Sequence, residues 1–93
     1  MDATEFANTI INLARKKGYV IQTNRAGLDQ IDFGNKKLHF DHIVKLYPAA
    51  MSEGANINQL IEKVAPGRPC AHKPMRELIN RLKLIHQETD VGV

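Results

Sequence analysis

The side chains best suited to chemistry gather in one stretch, VAPGRPCAHKPM, residues 64–75, which holds three of the four prolines and the only cysteine of the chain. Arg68, His72 and Lys73 are spaced to clamp phosphate groups. Pro66, Pro69 and Pro74 would narrow the unbound ensemble of such a loop and so reduce the entropy lost when it binds. Beyond the loop, Arg76, Asn80 and Lys83 stand at i, i+4 and i+7, so a helix brings them to one face, away from Met75, Leu78 and Leu82. Arg and Asn are the side chains shaped for guanine and adenine edges, and neighbouring cations hold the backbone. Lys63, Arg68, His72, Lys73, Arg76, Asn80, Arg81 and Lys83 are therefore the candidate anion-contacting residues.

Other chemistry is weaker on the same evidence. Cys70 and His72, with His39 and His42 of HFDH, make four conceivable ligands for tetrahedral zinc, but their spacings match no familiar zinc pattern, and a free Cys often serves as a small buried hydrophobe. A Cys70–His72 nucleophile pair would need a third, orienting group, and residues two apart in a loop seldom face each other. Asp29 and Asp32 read as sheet-surface charges. The opening order of helix and strands, with KKGYVI at the junction, is similar to small toxin-like ribonuclease domains built on a double-stranded-RNA-binding scaffold. That resemblance implies a catalytic His in a central strand. Here the nearest, His39, falls at the end of the third strand, and the match fails. No catalytic residue, metal or cofactor is expected, and the chain is read as a non-enzyme.

Charge placement supports the first reading. Seven Lys and Arg are balanced by seven Asp and Glu through Glu62, whereas Lys63–His86 holds six basic residues against Glu77 alone. The net charge of +3 is thus concentrated on the loop and the helix after it, the footprint of a surface that meets a polyanion.

The elements that must position these residues follow from pattern. Residues 3–17 carry a helical apolar stripe, with Asp2 and Glu5 as a capping box and Gly18 at the left-handed stop. YVIQT (19–23) reads as a strand and NRAG as a turn. LDQIDFGNKKLHF reads as a hairpin about Gly34-Asn35, setting Ile31 opposite Leu38 and Asp32 opposite Lys37. DHIVKLY should be a short helix capped by Asp41 that ends or kinks near Pro48. SEGAN is a linker. Asn56, with Gln59 at the box position, caps a helix stopped by Pro66-Gly67. A turn of about eight residues follows. Pro74 then opens a last helix, with Met75, Leu78, Ile79, Leu82 and Ile85 as its stripe.

Ninety-three residues suit one domain. The expected fold is α+β: an N-terminal helix on a three-stranded antiparallel sheet (1–40), a mainly helical half (41–87) and a flexible tail (88–93). The helices 56–65 and 74–86 resemble a helix-turn-helix pair. The start MDATEF lacks the basic and apolar regions of a secretory signal, no apolar stretch approaches membrane-spanning length, and the unpaired cysteine fits a reducing compartment, so a cytoplasmic protein is expected. The expected function is a small nucleic-acid-binding regulator or accessory factor, with DNA favoured over RNA. The alternative is an adaptor or inhibitor whose basic face meets an acidic protein surface. A homodimer stays open.

Overall fold

The computed structural model describes residues 2–34, 36–52 and 56–91, with 86–91 as helix backbone. Its order is α1 (Ala3–Lys16), β1 (Val20–Thr23), β2 (Asp29–Asp32), β3 (Lys37–His39), α2 (Phe40–Ala50), α3 (Ile57–Val64), a 3₁₀ turn (Pro69–Ala71) and α4 (His72–Val91). The fold is α+β, with one antiparallel sheet in the order β1-β2-β3.

Both ends of α1 follow from local chemistry. Asp2 Oδ1 accepts the Glu5 N–H at 2.8 Å. At the other end Gly18 takes φ +97°, and the Gly18 and Tyr19 N–H groups return to the carbonyls of Arg15 and Ala14. This is a Schellman stop, which requires a left-handed residue at that position. One face of α1 (Phe6, Ala7, Ile10, Ile11, Ala14) is buried. The β2–β3 hairpin pairs Ile31 with Leu38 and Asp32 with Lys37, as expected. Ile31 and Leu38 are fully buried while Lys37 is exposed, so the inner sheet face meets the helices.

Some expectations need correction. His39, not Asp41, is the N-cap of α2, and the helix ends at Ala50, two residues past Pro48, near where it was expected to stop. Pro48 sits in the last turn, so only one helical hydrogen bond is forgone. Met51 N–H and Ser52 N–H close the end on the Tyr47 and Ala49 carbonyls. The last helix opens at His72 rather than Pro74. Pro74 therefore lies within its first turn, where a missing N–H leaves nothing unsatisfied. Ile85 is 45% exposed and is not part of the buried stripe. A 20-residue α4 against an 8-residue α3 outruns its partner at 1.5 Å per residue. Helix continues to Val91, past the expected boundary at 88, because no Gly or Pro intervenes; 92–93 lie outside the described residues, as do 53–55 of the SEGAN linker.

One contiguous core joins the halves: Phe6, Ile10, Ile31, Leu38, Ile43, Leu46, Ile61, Met75, Leu78 and Leu82 are all at most 1% exposed. Each such side chain contributes roughly 1.5–3 kcal/mol through burial.

Candidate nucleic-acid interface

The interface begins at α3. Asn56 Oδ1 accepts the Gln59 N–H at 3.2 Å and caps the helix. Ile57 and Ile61 bury, and Ala65 follows them at 0% exposure. Gly67 then takes φ +78°, a conformation that a side chain would strain. Only Ala65–Arg68 lie between α3 and the 3₁₀ turn. From α3 to α4 the connection is seven residues, Ala65–Ala71, close to the expected eight, and its last three form the 3₁₀ turn. It is longer than the three or four residues that a helix-turn-helix uses.

Two side chains organise that connection. Glu62 Oε1 accepts the Gly67 N–H at 3.1 Å, and its Oε2 lies 3.3 Å from His72 Nε2. The His72 contact is close but out of line for a hydrogen bond, and that nitrogen is otherwise enclosed. Arg68 turns the other way: its Nε donates to the Lys37 carbonyl at 2.9 Å and its Nη1 to the Pro66 carbonyl at 3.2 Å. The guanidinium thereby straps the connection to β3, 31 residues earlier in the chain.

The expected residues therefore separate into two groups. Lys63, Lys73, Arg76, Asn80 and Arg81 are exposed. Lys73, Arg76 and Asn80 form one stripe on the outer face of α4, opposite the buried Met75, Leu78, Ile79 and Leu82, as helical periodicity requires. Arg81 lies beyond Glu77 on the same exposed side. Arg68, His72 and Lys83 are only partly exposed and are turned to protein groups. Lys83 Nζ reaches the Ser52 carbonyl at 3.5 Å, so it borders the stripe that Arg76 and Asn80 occupy.

Two contributors fall outside the expected set. Lys17, at the end of α1, sits 3.4 Å from the Glu77 carboxylate and offsets the one acid among Lys63–His86. Their separation of 60 residues conceals the pairing from any reading of α4 alone. Leu84, 61% exposed, continues the outer stripe one turn past Asn80. A solvent-facing Leu in the middle of a polar face was the available signal.

The histidines set aside for zinc do other work. His42 Nδ1 accepts the His39 N–H at 3.4 Å, with the two rings 5.2 Å apart. Burial, then Arg68, His39 and Lys45, push the His42 pKa down, with Asp41 opposing. Cys70 is a free, half-buried thiol. Among the described residues no group of three His, Cys, Asp or Glu side chains could hold a metal, and no helix is long and apolar enough to cross a membrane. No family model, curated protein or solved structure matches the chain.

Proposed function

We propose that the protein is a small non-enzymatic nucleic-acid-binding regulator or accessory factor, with DNA favoured over RNA, working in a reducing, cytoplasmic compartment. The observation that carries this reading is the outer face of α4: Lys73, Arg76, Asn80 and Arg81 are exposed together, and the only acid among them is held by Lys17. A cationic stripe with an amide at its centre can hold phosphates at its ends while Asn80 meets a base edge. A capped α3 followed by α4 with its polar face outward is what a helix-turn-helix-like docking would use, with α4 as the recognition helix, across a seven-residue connection that is longer than that motif's own.

The test is a titration of duplex DNA across salt concentrations. Lys63, Lys73, Arg76 and Arg81, all exposed, imply a log–log slope of about −3 to −4. An affinity that stays flat between low and moderate salt removes the reading. Leu84 favours the second reading, an adaptor or inhibitor that meets an acidic protein surface, because an exposed apolar side chain amid cations suits a protein partner better than a phosphate backbone.

A further inference from the structure

The two edges of the sheet differ in a way that points to a second binding surface. The Asn24 N–H donates to the Leu28 carbonyl at 2.8 Å, and the same register pairs Thr23 with Asp29, Gln22 with Gln30 and Ile21 with Ile31. Hydrogen-bonded and non-hydrogen-bonded pairs alternate in an antiparallel ladder. Gln22 and Val20 therefore bond to β2, while the N–H and C=O groups of Ile21 and Thr23 point outward. The same parity on the far side starts from the Phe33 N–H, which donates to the Lys36 carbonyl. It turns the Lys37 and His39 groups outward from β3.

Two of those β3 groups are occupied. Arg68 Nε takes the Lys37 carbonyl, and His42 Nδ1 takes the His39 N–H. No hydrogen bond among the described residues uses the outward groups of Ile21 or Thr23. An edge strand left open in this way is a template for another strand. Beside it Val20 is 58% exposed, an apolar neighbour for a cross-strand side chain.

Charge selects the occupant. Exposed Lys16 precedes β1 and exposed Arg25 follows it, and neither takes part in an ion pair among the described residues. A second copy added antiparallel to β1 would bring Arg25 of each chain against the Lys16–Lys17 end of the other, and like charges facing across strands destabilise the pairing. We propose that β1 accepts, as a fourth strand, an extended segment of a partner protein with acidic residues on both flanks. This surface is separate from the α4 face, so either proposal can fail alone.

The edge is four residues long and offers two N–H and two C=O groups, so the affinity expected for an isolated peptide is modest, with Kd on the order of 0.1–1 mM. Amide exchange by NMR reads it directly. The probe is the peptide Glu-Glu-Thr-Val-Thr-Val-Thr-Glu-Glu, and the control has Lys in place of every Glu. At saturation the Ile21 and Thr23 amides should exchange at least about tenfold more slowly, with Val20 and Gln22, already bonded to β2, changing little. Thr23→Pro removes an outward N–H without touching the ladder and should weaken the peptide about fivefold or more. Thr23→Val keeps that N–H and should bind like the parent. Should Thr23→Pro not fold, N-methylation of the peptide's central residues makes the same deletion from the ligand side. Unchanged exchange at Ile21 and Thr23, or equal binding of the Lys-flanked peptide, overturns the proposal. So does protection of these amides in the protein alone together with a dimer in sedimentation, because a second copy would then hold the edge.

Discussion

Arg68 and Lys73 stand five residues apart in the same cationic stretch, yet they end in opposite circumstances. Arg68 is committed to two backbone carbonyls, whereas Lys73, Arg76 and Arg81 project from α4 into solvent. The connection is where backbone leaves regular structure, so carbonyls there need donors, and a planar guanidinium with five N–H groups supplies them better than an ammonium. A regular helix satisfies its own carbonyls and leaves its outer cations free. Cations in a tight connection hold the protein together; cations on a helix face are available to a partner.

The largest effect that would break this contrast is on stability. Arg68→Ala leaves the Lys37 carbonyl without its strap and should lower unfolding free energy by about 2 kcal/mol, read as an earlier urea midpoint with little change in slope. Binding to DNA by the molecules that remain folded should change less than about threefold. An unaltered midpoint with lost binding would reverse the roles of the two groups.

The helix face should behave the other way round. Arg76→Ala should leave stability within about 0.5 kcal/mol, weaken DNA binding several-fold at all sequences, and reduce the salt slope by about 1. Asn80→Ala sharpens the contrast further, because a base contact changes the ranking of sequences whereas a phosphate contact does not. Equal losses for Asn80→Ala on every duplex would make α4 a backbone contact only.

The smallest effect concerns His42, which lies on the strapped side near Arg68. Its folded-state pKa is lowered, by burial first and then by Arg68, so below about 6.5 the unfolded chain takes up a proton that the folded protein resists. Stability should therefore be full above that value and decline as pH falls toward the folded-state pKa. In His42→Gln that part of the decline should be missing. A pH profile of the urea midpoint for both proteins checks this, and identical profiles would remove His42 from the account.

Elements governed by neighbours a few residues away could be read from the sequence. The Asp2 and Asn56 caps, the Gly18 stop and the Ile31–Leu38 register all depend on short-range periodicity and turn chemistry. What escaped depended on distance or on competition. α2 was expected to end or kink near Pro48; it runs two residues past it because a proline in the last turn forgoes a single bond. The connection from α3 to α4 is close to its expected length, but the 3₁₀ turn that Pro69 opens within it and the start of α4 two residues before Pro74 were not read. At the site, the shared exposure of Arg76 and Asn80 followed from helical spacing, whereas Lys83, expected on the same exposed face, is half-buried and reaches the Ser52 carbonyl. The diversion of Arg68 did not follow from spacing, because its acceptor belongs to β3, and neither did the Lys17–Glu77 pair.

The strap from Arg68 to β3 also orders events during synthesis. The whole sheet is encoded before residue 40, but the side chain that covers its far edge arrives 31 residues after Lys37. At ribosomal rates of about 5–20 residues per second, that interval is roughly 2–6 s. Until it ends, the nascent sheet presents two open edges rather than one. A ribosome-bound chain halted before Arg68 has emerged should therefore be the species most prone to pair with its neighbours and the one a chaperone would hold.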